Sequence, residues 1–201
     1  MDGKAMYKLS YGLFVVTAKE GDRDNGCITN TAGQVTTTPN RITLAVNKGN
    51  FTHDMILRTG KFNVSILSEQ ADFEIFKHFG FQSGRDVDKF ADYKTAKRAG
   101  NGIYYITEGT NAYLSAKVAG TMDLGTHTLF LADVTDGEVL DGAASATYAY
   151  YQSSIKPAPQ KKEEKKGWRC RICGYIYEGD VLPDDFVCPI CKHGASDFEK
   201  I

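Results

Sequence analysis

A chain of 201 residues has room for one full domain and a small module beside it. Its 24 Lys and Arg against 25 Asp and Glu give no nucleic-acid footprint, and 42% hydrophobic residues is ordinary for a globular fold in water. No apolar run approaches the length of a membrane span, and Met1-Asp2-Gly3-Lys4 begins neither a signal peptide nor a myristoylation site, so a cytoplasmic protein is expected.

Leu9 to Lys19 is dense in β-branched and aromatic residues and predicts a buried strand. Gly21 to Gly26 predicts a turn, with Asn25-Gly26 as its hairpin signal. Cys27 to Val35 predicts a second strand or extended loop of small polar groups; Thr36 to Asn40 breaks the chain, and Arg41 to Asn47 predicts another strand. Phe51 to Arg58 has a helical pattern, with Asn50 or Thr52 placed to cap it. Lys61 to Leu67 alternates as a strand does. Gln70 to Phe79 predicts a helix whose Phe73, Phe76 and Phe79 form a core stripe. After a polar loop at Ser83-Gly84-Arg85-Asp86, short strands are predicted over 103–106, 112–121, 129–134 and 138–140, with a turn at Asp123 to His127. Many strands, few helices and no strict βαβ alternation predict a mainly β fold, a closed or nearly closed barrel.

Residues 153–167 are expected to be a flexible linker: two prolines and a lysine- and glutamate-rich run leave nothing to bury. Such a tether would hold the two modules at an effective concentration on the order of millimolar. Four of the five cysteines follow it, Cys170 with Cys173 and Cys188 with Cys191. Thiolates spaced C-x2-C fit around one tight turn, and two such turns make a tetrahedral S4 site. That spacing alone leaves zinc and iron both open. Acidic side chains outnumber basic ones over 168–201, so this module either invites a basic docking surface or is simply solvated.

The neighbours of these cysteines carry a resemblance. Cys173-Gly174-Tyr175-x-Tyr177, Pro183-Asp184-Asp185-Phe186-Val187-Cys188-Pro189 and Asp197-Phe198-Glu199 closely resemble rubredoxin. The resemblance implies that Cys170, Cys173, Cys188 and Cys191 hold one iron, around a core of Trp168, Tyr175, Tyr177, Phe186 and Phe198. So small a core would make the metal part of the folding energy. The connection from Gly174 to Val187 is shorter than in most rubredoxins and is similar to the short domain of rubrerythrins. Lys192 stands where rubredoxins usually carry glycine, which implies a strained left-handed residue, about 1 kcal/mol, or a glycine role moved to Gly194.

The stretches N-G-C-I-T-N-T-A-G, V-N-K-G-N-F-T, F-N-V-S-I-L, S-G-R-D and G-x-H, in that order over residues 6–152, resemble the flavin reductase-like FMN-binding split barrel. The resemblance implies that Gly26, Cys27, Ile28, Thr29, Asn30 and Thr31 follow the isoalloxazine edge and ribityl chain. It places Asn47, Lys48 and Thr52 near the ribityl phosphate, and Ser83, Gly84 and Arg85 as the rest of the phosphate clamp. Each has a plainer alternative: Thr29 to Thr31 as turn-flanking polars, Arg85 as a partner of Asp86 or Asp88, Thr52 as a cap. Cys27 has no identifiable base beside it and reads as a small buried side chain rather than a nucleophile. His127 matches the family's nicotinamide-side histidine, with Thr126 in place of the usual acid, and is equally readable as a structural turn residue; His53 is similarly open. Tyr148 to Tyr151 resembles the family's aromatic segment near flavin or dimer seam, and a homodimer is implied.

Together the domains, 1–152 and 168–201, are similar to the high-molecular-weight rubredoxins of anaerobic bacteria. That resemblance implies electron transfer from NADH or NADPH through FMN and iron to an acceptor such as a flavo-diiron protein. Two other functions are compatible with the residues: a reductase that releases reduced flavin and docks through its tail, or a non-enzymatic flavin binder with a structural zinc ribbon.

Overall fold

The computed structural model describes residues 2–157, 167–172, 174–189 and 192–201. The chain divides into two compact units, Met1–Pro157 and Ala158–Ile201.

The first unit is one seven-stranded antiparallel sheet. Its strands are β1 (Phe14–Glu20), β2 (Arg23–Thr29), β3 (Gly33–Thr37), β4 (Asn40–Asn47), β5 (Lys61–Leu67), β8 (Thr110–Asp123) and β9 (His127–Val139), in the spatial order β2-β1-β5-β8-β9-β4-β3. A short separate ribbon, β6 (Ala96–Arg98) with β7 (Tyr104–Ile106), packs beside it. The two edge strands β2 and β3 are consecutive in the chain, and Thr31 Oγ1 donates to the Ala45 carbonyl at 2.6 Å, tying their connection to β4. One apolar cluster draws Val16, Cys27, Leu44, Val64, Ala116 and Phe130 from six strands, so the sheet curls around a common interior. Helix α1 (Phe51–Thr59) plugs that cluster with Met55 and Ile56, both fully buried. Full burial of each such side chain is worth about 1.5–3 kcal/mol. Helix α2 (Phe73–Gly80) packs Phe76 and Phe79 into a second cluster outside the sheet, with Leu13, Val15, Ile106 and Tyr151. This is the mainly β, nearly closed barrel expected from many strands, few helices and no strict βαβ alternation.

Three expectations change. Asn25-Gly26 is not the hairpin turn; the turn is at Gly21-Asp22, with Gly21 at φ +56, and Asn25 and Gly26 lie within β2 opposite Ala18 and Thr17. Neighbours override the local signal: the Asn25 side chain is used by Thr52, and Phe79 packs on bare Gly26, where a Cβ would come within 3.1 Å of its ring. The strands expected at 129–134 and 138–140 are one strand, β9. Register shifts in β8 at Ser115/Ala116 and Val118/Gly120 let the pair bend rather than break. The expected linker begins too early. Helix α3 (Tyr148–Tyr150) runs directly into a π-helical turn at Tyr151–Ile155, with Tyr151 buried 4.5 Å from the Phe76 ring and Ile155 on the same cluster. Ser153 and Ser154 therefore lie in helix, and the composition change begins after an apolar residue already spent on the core. Residues 158–166 of that linker lie outside the described residues.

The second unit is a three-stranded sheet, β11 (Ile176–Tyr177), β10 (Trp168–Cys170) and β12 (Phe198–Lys200), with a 3₁₀ turn at Ala195–Asp197. Its core is Cys170, Leu182, Cys188 and Phe198, with Trp168, Tyr175, Tyr177 and Phe186 packed on it, the aromatic set expected plus Leu182. Among the described residues no helix is long and apolar enough to cross a membrane.

Candidate functional site

A cleft of about 290 Å³ opens where β2, the start of α1, the end of α2 and the loop after it converge. Of the expected ligand residues, Gly26, Cys27, Ile28, Thr52, Ser83 and Gly84 line it. Each is there for a local reason. β2 presents its backbone because glycine stands at position 26. Thr52 is fully buried in the first turn of α1 and accepts from Asn25 Nδ2 at 2.9 Å. Asn50 occupies the N-cap position of α1 without a side-chain cap bond, so neither residue expected to cap the helix does so with its side chain. His53 N turns back to the Asn50 carbonyl at 3.1 Å, which leaves the Phe51 and Thr52 amides, with the positive end of the helix dipole, to an anion in the cleft. Helix α2 is capped conventionally, Asp72 Oδ1 accepting from Glu74 N at 2.8 Å. Gly84 lies directly on Asn25: a Cβ there would sit 2.1 Å from Asn25 Oδ1. That Oδ1 is itself buried without a hydrogen-bond partner in the protein. A cradle of two bare glycines, an unfilled acceptor and an open helix start is chemically suited to a ligand carrying both an anion and hydrogen-bond donors, as FMN does.

The rim is cationic. The Arg23 and Arg85 guanidinium groups lie 5.0 and 5.2 Å from the Phe51 ring centroid, and Arg23 also donates to the Gly84 carbonyl. Arg85 pairs with Asp54 at 2.7 Å, not with Asp86 or Asp88. Behind it runs a hydrogen-bonded series: Asp54 to His53 Nδ1 at 3.0 Å, then His53 Nε2 to Thr128 Oγ1 at 2.8 Å. His53, first, and Arg85 hold the Asp54 carboxyl below the usual aspartate range. His53 is thus part of the scaffold under Arg85. Cys27 is buried in the barrel core, and burial raises its thiol pKa, so it stays the small inert side chain expected.

The remaining expected residues sit away from the cleft lining. Thr29, the last residue of β2, and Thr31 share a hydroxyl–hydroxyl bond of 2.7 Å, with Asn30 between them. Asn47 pairs in register with His127 across β4 and β9, and Lys48 N donates to Thr126 O at 3.0 Å. Lys48 Nζ binds Asp123 at 2.7 Å, lowering that carboxyl's pKa, and His127 Nδ1 is 2.8 Å from Thr126 Oγ1. Asn47, Lys48 and His127 therefore form one group at the β8–β9 turn, joined to the cleft by the Gly49-Asn50 step into α1. Missed from the sequence were Asn25, Phe79 and Lys89, all lining the cleft. Asp88-Lys89-Phe90 looks like more of a polar loop, and nothing local says that Lys89 turns inward.

In the second unit, Cys170 and Cys188 are buried and begin two turns of the same design. Gly174 N donates to Cys170 O at 2.9 Å and Lys192 N to Cys188 O at 3.0 Å; Cys170 N donates to Tyr175 O and Cys188 N to His193 O, both at 2.8 Å. Gly174 has φ +78 and Lys192 φ +64, so Lys192 itself takes the left-handed place, while Gly194 is extended and does not relieve it. Cys173 and Cys191 lie outside the described residues. Two buried thiols, each opening a matching turn, fit a thiolate metal site; among the described residues alone no group of three ligands forms.

Residues 6–159 match the flavin reductase like domain family, and residues 168–199 match the rubrerythrin, rubredoxin-like domain family. The chain is 38% identical to a high molecular weight rubredoxin of Moorella thermoacetica, with full coverage of both chains. It is 40% identical over 153 residues to an Archaeoglobus fulgidus ferric-chelate reductase (NAD(P)H), covering 75% of this chain and 89% of that one. Among solved structures, the Streptomyces globisporus NADH:FAD oxidoreductase in complex with NAD and FAD fragments has the same fold, with a TM-score of 0.65 at 20% identity. That similarity covers 80% of this chain and 92% of that one.

Proposed function

Because the chain belongs to the flavin reductase-like family and ends in a rubrerythrin-type rubredoxin-like domain, we propose that it is an oxidoreductase that draws electrons from NADH or NADPH. They pass through FMN to an iron at Cys170, Cys173, Cys188 and Cys191. The observation that carries this reading is the presence of both domains in one chain, alike over its whole length to a high molecular weight rubredoxin. A flavin exchanges a two-electron donor for one-electron acceptors, and a tetrathiolate iron accepts one electron.

The protein's part is to bind and orient. Thr52, the open first turn of α1, and Ser83 to Arg85 take the phosphate; Gly26 to Thr31 present backbone along the ring system, and Asn47 and Lys48 flank the ribityl end. Asp54, locked to His53, holds Arg85 over Phe51 so that the fork is set before the anion arrives. His127 faces the donor side, where its Thr126 contact keeps the ring oriented. A homodimer is part of the same reading, supported by an apolar groove of about 290 Å³ lined by Phe14, Ile42, Val64, Ile66, Leu114 and Val134. So is an onward acceptor of flavo-diiron type with a basic face, supported by the acidic side chains Glu178, Asp180, Asp184 and Asp185 of the second unit.

An anaerobic visible spectrum before and after NADH tests the relay. Thiolate-to-iron bands over oxidised flavin, both bleaching, are expected; zinc in place of iron in natively prepared protein rules the relay out. The likeness to a ferric-chelate reductase supports a second reading, in which the barrel reduces a small external acceptor directly. Full ferric-chelate turnover in a C170S/C188S variant favours that one.

A further inference from the structure

Lys89 is a buried cation without a buried anion. It is 3% exposed, and its ammonium donates to the Gly26 and Phe79 carbonyls, each at 2.9 Å. Two neutral acceptors use two of its three N–H groups. Among the described residues no carboxylate pairs with it, and the ionisable side chain beside it is the Cys27 thiol, whose pKa burial raises, away from the anionic form. The bland role, a clamp between β2 and the end of α2, needs hydrogen bonds but no charge. Burying an ammonium costs far more than burying a neutral donor, and its own acidity is raised by that burial.

The surroundings say what the charge is for. Lys89 lines the cleft, no acidic residue among the described ones lines it, and Lys89 is the charged side chain that does. The nine-residue helix α1 opens into the same space with its N-cap side chain disengaged. The nearest carboxylate of that helix, Asp54, is committed to His53 and Arg85. We propose that Lys89 is the inner cation of a phosphoryl site: its third N–H and its charge meet one phosphoryl oxygen while the α1 amides and Thr52 meet the others. This rests on the flavin reading and deepens it. Phosphoryl groups have two sources in that reaction, FMN and the nicotinamide dinucleotide.

The test uses full-length protein freed of flavin, as wild type, K89R, K89Q and K89M. K89Q keeps N–H donors for the clamp and removes the charge, so it stays informative if K89M fails to fold. FMN and riboflavin are titrated by fluorescence quenching, and the KM for NADH is measured on reloaded protein. Loss of FMN affinity by at least about tenfold in K89Q, with riboflavin changed less than about twofold and K89R near wild type, assigns the site to the flavin phosphate. Unchanged flavin affinities with a similar rise in KM assign it to the dinucleotide. Equal weakening of FMN and riboflavin, or no change in any of these, overturns the proposal. If wild type binds neither flavin, the flavin reading itself has failed. In that case, inorganic phosphate raising the melting temperature of wild type but not of K89Q still supports a phosphoryl site, and equal shifts overturn it.

Discussion

Gly174 and Lys192 occupy the same place in two turns of one design, and only one of them is suited to it. A side chain at φ +64 meets its own backbone, which costs about 1 kcal/mol relative to glycine. K192G is therefore expected to stabilise the second unit by about that amount, read as a later loss of the metal-thiolate absorption in a denaturant titration, with the barrel transition unmoved. Asp54 gives a pH-dependent counterpart. Its carboxyl is depressed in the folded protein, first by His53 and then by Arg85. The stabilisation is fully present above the ordinary aspartate value near about 4 and is lost as pH falls through the lower folded value. The urea midpoint difference between wild type and D54N is accordingly expected to be largest near neutral pH and to shrink below about pH 4. A difference constant down to acid pH would mean that the pair contributes nothing.

The two helices of the barrel make opposite use of their first turns. Asp72 caps α2, so D72A is expected to cost about 1 kcal/mol in chemical denaturation followed by circular dichroism. Asn50 makes no cap bond, so N50A is expected to cost only a few tenths. G26A should cost about 1–3 kcal/mol, because its methyl meets Phe79 and Thr17 in a closed space. These elements show what could be read from the chain. β5 was legible to the residue, because Lys61 to Leu67 alternates apolar with polar side chains; that its polar face is covered too, with Asn63 and Ser65 as buried as Phe62 and Val64, was not. Phe76 and Phe79 were legible as core by helical spacing. Asn25-Gly26 was misread because a dipeptide signal is local, while its strand is fixed by Thr52 and Phe79, far along the chain. Lys89 was illegible for the same reason: its partners, Gly26 O and Phe79 O, are backbone atoms that no side-chain pattern announces. The cysteine turns were the plainest feature, since C-x2-C spacing is the geometry itself.

At the scale of the molecule, the proposed relay needs the two units to meet, and if the lysine- and glutamate-rich segment between them acts as the proposed tether, its length sets how often they do. Cleaving the folded chain between Pro157 and Gly167 should turn reduction of the metal from a concentration-independent step into a second-order one. The separated piece would match the intact rate only at about millimolar concentration. Stopped-flow mixing with NADH at several protein concentrations measures this, and a rate that stays independent of concentration after cleavage would show the units held together by contact instead.

Asn25-Gly26 also bears on how the protein ages. An asparagine followed by glycine in a flexible chain cyclises readily and deamidates, because the glycine amide can reach the side-chain carbonyl. Held in register opposite Ala18 and Thr17, with its amide given to Thr52, Asn25 is kept from that geometry while β2 stays paired. Each unfolding event exposes it. The product would carry a carboxylate into the cleft proposed to take the flavin phosphate, so on that reading stored or heat-cycled protein should lose flavin in proportion to its deamidated fraction by mass spectrometry, and a bound flavin should slow both.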